Sequence, residues 1–348
     1  MEYLWVSITS FILCSIAVFL IKPVAIKLGL VDIPTRRKQH YGAIPLIGGV
    51  AIYIAVLLSS IIFVESSKTF NFYLISSGLL LSLGVLDDRF DLSVKARLLV
   101  QVCIAGLMIF GAGCYLDNLG SLFGLGDIEL GFFGFFITVI AIIGAINAFN
   151  MIDGIDGLAG VLSLIAFLSL AGLFVVVNSN WYVLPVLFVA ATLAFLMFNL
   201  RWPFRLTGKI FMGDAGSMLI GFTIVCLLVI GADKSVQAIK PVTALYLIAI
   251  PLMDMVAIMY RRIKKGTSPF KADREHLHHI FERAGYSRKR ALVYISLSAL
   301  GIALVGCIMQ FTDTPEWVMF FVFILLFLSY NYALMHVWKI LSWLRRNR

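Results

Sequence analysis

Eleven stretches of this chain are apolar over lengths that suit a lipid bilayer, and that property decides most of what it can fold into. A spanning helix needs about 20 predominantly apolar residues. Runs that reach or approach this length fall near 4–21, 44–63, 72–86, 98–114, 132–149, 158–177, 181–198, 217–230, 242–260, 291–309 and 317–338. Inside hydrocarbon every backbone polar group needs an internal partner, so such runs specify helices. The expected fold class is an all-α polytopic membrane protein with about eleven transmembrane helices. Composition agrees: the 348 residues are 61% hydrophobic and 14% charged, against roughly 45–50% and about 25% in soluble domains. A mean hydropathy of +0.98 points the same way. Too little polar surface remains to cover a water-soluble fold, which excludes a soluble enzyme, a disordered chain and a disulfide scaffold.

The first run has no basic residue before it, so it reads as a retained helix rather than a signal peptide. Cys14, Cys103, Cys114, Cys226 and Cys307 lie within or at the ends of apolar runs and form no CxxC pair. They pack as small apolar side chains. No repeat or soluble domain is visible, so residues 1–348 form a single integral membrane unit.

Charge orients the spans. The net charge of +9 reads as a topology signal rather than a nucleic-acid signal, because basic residues concentrate on the cytoplasmic side of membrane proteins. With the N-terminus outside (periplasmic) and the C-terminus cytoplasmic, 25 of the 28 Lys and Arg residues fall in inner segments. Lys68, Lys234 and Lys240 alone fall outside. One missed or invented span would invert every later loop and destroy this asymmetry. The inner loops 22–43, 87–97, 150–157, 199–216 and 261–290 then share one face.

The acidic residues gather on that face. Asp87 and Asp88 end the third span. Asp153 and Asp156 sit where the fifth span meets the surface, and Asp214 precedes the eighth. Their neighbours are apolar or glycine, and acids so placed are costly and usually functional. Asp91, Asp32 and Glu282 read as solvated loop charges. Asp254, inside the ninth span, serves either the site or a neighbouring basic side chain. Two like charges 4 Å apart repel by about 1 kcal/mol in water and about 4 kcal/mol at an effective dielectric near 20. Converging carboxylates therefore need a raised pKa or a bound divalent ion. Oxygen ligands without cysteine favour Mg²⁺ over zinc.

"DGIDGLAG" and "FMGDAGS" each close a loop and open a helix, where backbone N–H groups can approach a phosphate. The bland alternative is tight helix packing through the same glycines. Lys38, Lys95, Arg274 and the cluster His276, His278 and His279 can offset phosphate charge.

At these residues the chain resembles the polyprenyl-phosphate N-acetylhexosamine-1-phosphate transferase family. The resemblance runs from "RRKQHYGAIPLIGG" through "LDDRFDLSVKAR", "NAFNMIDGIDGLAG" and "FMGDAGS" to "DREHLHHIFERAGYS". "NMIDGIDG", "RWPF" and "DREHLHHI" are similar to its GlcNAc-1-phosphate branch, whereas "HHIFE" departs from the "HHHFE" string of the peptidoglycan branch. The resemblance implies transfer of GlcNAc-1-phosphate from UDP-GlcNAc to undecaprenyl phosphate, releasing UMP, as the first step of a lipid-linked cell-surface polysaccharide. It further implies a bacterial inner membrane location, a Mg²⁺ cofactor that Mn²⁺ can replace, and room for a homodimer. Residue by residue, Asp214 and Asp156 match metal ligands. Asp87 and Asp88 match the pair that engages the lipid phosphate, with Asp87 a general base, and Lys95 and Lys38 match phosphate contacts. Asn150 and Asp153 match the nucleotide pocket. His276, His278, His279 and Arg274 match the loop that holds sugar and diphosphate. UDP-FucNAc, UDP-QuiNAc and UDP-MurNAc-pentapeptide remain alternative donors. Matching alone leaves open which aspartates bind metal and which move protons.

Three rivals are weaker. A lipid or solute transporter would place ionisable residues near the midplane on broken, repeated helices. A CDP-alcohol phosphotransferase needs an Arg that "DGLAG" lacks. A non-catalytic scaffold gives no reason for acids and glycines to share one face.

Overall fold

The computed structural model describes residues 2–34, 42–202, 208–269 and 276–336. Apolar helices dominate, as the long runs require. In chain order they are α1 (Glu2–Leu28), α2 (Gly48–Phe63), α3 (Lys68–Phe90), α4 (Val94–Gly106), α5 (Phe133–Ile152), α6 (Leu158–Val176), α7 (Val183–Leu200), α8 (Gly213–Ala232), α9 (Pro241–Leu247), α10 (Ala249–Lys264), α11 (Leu277–Arg283), α12 (Arg288–Phe311) and α13 (Glu316–Met335). A π-helical turn, Leu107–Gly111, extends α4. Serine side chains start several of them: Ser67 accepts from the Phe70 N–H of α3, and Ser93 from the Ala96 N–H of α4, the preferred way to satisfy an N-terminal donor.

Among the described residues nine helices are long and apolar enough to cross a membrane. The other two expected spans differ from the sequence reading. The ninth is broken: α9 and α10 meet at 82°. Pro251 explains the break, because it lacks the N–H that would bond the Leu247 carbonyl and its ring crowds that carbonyl. The second is shorter than expected. Residues Ile44–Pro45 leave the helix to form strand β2, antiparallel to β1 (Val31–Asp32), with Val31 opposite Pro45. Helix α2 then begins only at Gly48 and has 16 residues.

Helix α8 is the axis of the bundle, and every residue from Ala215 to Gly231 is buried. An apolar helix with no polar stripe suits that position. Helices α2, α3 and α5 pack on it directly. A Cβ on Gly49 would collide with the backbone of Gly216, so glycine is what lets α2 approach so closely. Tyr73 of α3 stacks on Phe222 at 6.0 Å, and its hydroxyl meets Thr223 at 2.9 Å. The stretch before α2 is also tied to the stretch before α8. Phe211 N–H donates to the Pro45 carbonyl at 2.9 Å, and Gly48 N–H to the Phe211 carbonyl at 2.9 Å. These bonds fix where α8 begins. Large apolar side chains such as Trp5, Phe19, Leu20, Phe110, Leu297 and Leu325 are exposed on outer helices. A soluble protein rarely shows such a surface, and here it is the surface that lipid covers.

Candidate active site

The acids converge at one end of the bundle, where α3, α5 and α10 end and α4, α6 and α8 begin. Asp87 and Asp88 are adjacent in the last turn of α3, so they point in different directions. Asp87, 4% exposed, turns toward the start of α4. It accepts from Leu92 N–H at 2.9 Å and from Arg97 Nη1 at 2.7 Å. Asp88 turns toward α8, where its two oxygens accept from the N–H groups of Asp214 at 2.8 Å and Ala215 at 3.2 Å. A carboxylate from one helix thus caps the N-terminus of another, where unsatisfied donors and the helix dipole favour negative charge. Gly213 makes the approach feasible. Its φ is +73°, and a Cβ there would lie 2.5 Å from an Asp88 oxygen. The amides of Asp214 and Ala215, which the sequence offers to a phosphate, are therefore taken by Asp88.

Asp214 lies in the first turn of α8. Asn150, at the end of α5, donates to it at 2.8 Å and to Ser217 Oγ at 3.1 Å. The carboxylates of Asp87 and Asp88 both lie close enough to Asp214 to repel it. Three carboxylates thus lie close together, and among the described residues Arg97 pairs with one of them, Asp87. Among the described residues no three His, Cys, Asp or Glu side chains come to metal-ligand spacing. That fits Mg²⁺, which is held by one or two carboxylates together with phosphate and water oxygens rather than by an all-protein cage. The all-oxygen donor set and the excess negative charge fit the same ion.

The loop between α5 and α6 carries the next pair. Asp153 caps α5 and keeps a solvent-facing edge. Burial of its other sides pushes its carboxyl up to about 7, and the charges of Asp214 and Asp156 add to the rise. Asp156 pairs with Lys209 at 2.6 Å, and the ammonium also lies 4.9 Å above the Phe211 ring. The side chains set against Asp214 are therefore Asp87, Asp88, Asn150 and Asp153, while Asp156 faces Lys209.

The histidines close the site from α11. The His276 Nδ1 lies 2.9 Å from Asp254 of α10. The His278 ring stacks parallel to it at 5.8 Å and rests on Gly154, between Asp153 and Asp156. Both ring nitrogens of His278 are buried without a partner among the described residues. Burial, reinforced by the neighbouring His279 and His276, pushes this imidazole down to about 3. Burial therefore favours the uncharged ring of His278. His279 Nδ1 meets Glu282 at 3.1 Å, and Arg288 Nε meets the same carboxylate at 2.6 Å. Glu282, read from sequence as a solvated charge, is thus a paired one. Lys95 is exposed in the first turn of α4. Lys38 and Arg274 lie outside the described residues.

Four contributors escape the sequence reading. Arg97 stands inside "LDDRFDLSVKAR", and its spacing from Asp87 could have suggested a partner across the α3–α4 turn. Lys209 precedes "FMGD" and could have been found the same way. Ser217, the last residue of "FMGDAGS", and Tyr330 meet Asn150 and Asp254 only through the tertiary fold.

This arrangement defines an integral membrane protein whose polar site, rich in carboxylate and imidazole groups, opens at one end of a helical bundle. The chain belongs to glycosyl transferase family 4, whose family model matches residues 70–232. It is 45% identical over 345 residues to an undecaprenyl-phosphate alpha-N-acetylglucosaminyl 1-phosphate transferase of Pasteurella multocida, covering 98% of this chain and 96% of that relative. The enzymes of the same name from Salmonella typhi and Escherichia coli K12 are 45% and 42% identical over 342 and 341 residues. Each alignment covers 97% of this chain and 93% of the relative.

Proposed function

We propose that this protein transfers GlcNAc-1-phosphate from UDP-GlcNAc to undecaprenyl phosphate, yielding GlcNAc-diphospho-undecaprenol and UMP. The observation that carries the reading is the acid cluster, where Asp214 sits against Asp87, Asp88 and Asn150. The names of the full-length relatives support the same acceptor and transferred group. The charge asymmetry of the loops supports a cytoplasmic orientation of this face, and a bacterial inner membrane belongs to the same proposal. The product would begin a lipid-linked cell-surface polysaccharide of the O antigen, common antigen or teichoic acid kind.

In this reaction an oxygen of the lipid phosphate attacks the β-phosphorus of the donor, and the bond to UMP breaks. The attacking phosphate monoester has a second pKa near 6 and is already largely ionised at pH 7. Little proton abstraction is required of Asp87, whose oxygens hold Arg97 and the Leu92 N–H. Asp87 instead aims Arg97 toward the acid cluster, and Asp88 fixes α8 so that Asp214 is presented within it. Asp214, with Asp156 as the second ligand, would hold Mg²⁺, which Mn²⁺ can replace. The ion supplies charge neutralisation for the diphosphate. Lys209, which pairs with Asp156 at 2.6 Å, would be placed to meet phosphate, as would Lys95. Asn150 orients Asp214, while Asp153 and the neutral His278 offer hydrogen bonds to nucleotide or sugar. Positioning and electrostatics supply most of the acceleration in phosphoryl transfer.

The test is a donor panel. Purified protein, undecaprenyl phosphate and Mg²⁺ are mixed with UDP-GlcNAc, UDP-GalNAc, UDP-FucNAc, UDP-QuiNAc or UDP-MurNAc-pentapeptide, and the lipid product is identified by mass. Preference for UDP-GlcNAc with release of UMP is expected. Preference for another donor would move the specificity, and release of no UMP from any donor would contradict the transfer reading.

A further inference from the structure

Asp254 belongs to none of the sequence strings that mark the site. It lies in α10, six positions beyond the break at Ile248, and is 1% exposed. One oxygen faces His276 Nδ1 at 2.9 Å. The other accepts from the Leu277 N–H at 3.2 Å and from the Tyr330 hydroxyl of α13 at 2.9 Å. An ionised carboxylate can only accept hydrogen bonds, so the proton on the facing side of His276 belongs to Nδ1. That leaves Nε2 as the ring atom available to a ligand. Contacts then run on without a gap: the His276 ring stacks on His278, and His278 rests on Gly154 in the acid loop.

Burying a carboxylate inside a membrane-spanning segment is expensive. Here the acid is spent on one ring, on the backbone that carries that ring, and on a tyrosine from the last helix. We infer that Asp254, braced by Tyr330, is a positioning residue for the transfer reaction, fixing the tautomer and orientation of His276 at the edge of the acid cluster. The inference rests on the transferase reading above. It assigns α10 and α13 a part in the site that the acid-rich loops do not disclose.

The experiment uses full-length protein in lipid nanodiscs. Asp254→Asn keeps the shape and can still accept from Leu277 and Tyr330, but it turns an amide toward His276 and moves the imidazole proton to Nε2. Turnover should fall roughly 10- to 100-fold, the loss typical when the group orienting a functional histidine is removed, while KM for UDP-GlcNAc changes by less than about threefold. Tyr330→Phe, which keeps the ring packing, should lose roughly threefold on the same scale. In a His276→Ala background both substitutions should have almost no further effect, since coupled residues are not additive. Losses that multiply in that background would overturn the inference, and so would wild-type turnover in Asp254→Asn. A second readout needs no turnover. Nitrogen-15 spectra of labelled histidine should show Nδ1 of His276 protonated in the wild type and bare in Asp254→Asn, and a bare Nδ1 in the wild type would overturn the assignment. A wild type that releases no UMP but shows the protonated Nδ1 would defeat the transferase reading while leaving the anchoring intact.

Discussion

The two ends of the bundle treat charge differently. At the end that carries α9's start and α13's start, Lys234 bridges Asp117 at 3.0 Å and Glu129 at 3.2 Å, and Lys240 meets Asp313 at 3.4 Å. These pairs lie in the open, where ion pairs are screened and contribute little. At the other end, acids from α3, α8 and the α5–α6 loop crowd together, partly out of water. A fold seeking stability alone would arrange both ends like the first. Like charges held together by the backbone mark the second end as a place built for something that arrives from outside.

The contrast can be broken most severely at Asp214. Asp214→Asn should lower UMP release by roughly a thousandfold, the scale of removing a principal electrostatic contact to a transition state, while the protein still inserts and keeps its thermal midpoint. Turnover within threefold of the wild type would remove the distinction between the two ends.

The next effect is structural and tests how the acid end is held. Gly49→Val drives a branched side chain into the Gly216 backbone. Overpacking of this kind costs about 1–3 kcal/mol, so the midpoint in nanodiscs should fall by several degrees. A midpoint equal to the wild type would mean that α2 does not seat on α8 as described.

A smaller effect is read by pH. His278 has its folded pKa pushed down to about 3, below an ordinary value of 6.5. The unfolded chain therefore takes up a proton first as pH falls, and the stability this residue contributes above pH 6.5 is lost progressively toward pH 3. One such group changes the slope by at most about 1.4 kcal/mol per pH unit. His278→Phe should flatten the fall in midpoint between pH 6.5 and 5, and an unchanged slope would mean that the folded ring titrates like an ordinary imidazole.

The smallest effect belongs to the open end. Lys234→Ala should leave both the midpoint and UMP release unchanged within error. A marked loss of activity would show that the two ends are not independent.

How much of this the sequence shows depends on the range of the interaction. Apolar run length is local, and among the described residues it places nine long apolar helices, the bent α9–α10 pair and the shorter α2. Where the reading fails, a local signal was present but outweighed: Pro251 breaks the ninth span and strand pairing at Pro45 shortens the second. The meeting of Asp87, Asp88, Asp153 and Asp214 on one face follows from span count and charge, since each span merely alternates sides. Which atom meets which does not follow. That Asp88 caps α8, that Asp156 takes Lys209 and that Asp254 takes His276 and Tyr330 are outcomes of packing, with every partner but His276 more than 50 residues away, and no spacing rule encodes them.

The central claim is that the acid end holds a hard divalent ion beside the donor diphosphate. The most direct measurement is electron paramagnetic resonance of Mn²⁺ titrated into purified protein with UDP-GlcNAc, for the wild type and for Asp214→Asn. The account predicts one protein-bound Mn²⁺ in the wild type and loss of that signal in the variant. Equal occupancy in the two proteins, or no bound ion in an active wild type, would contradict it.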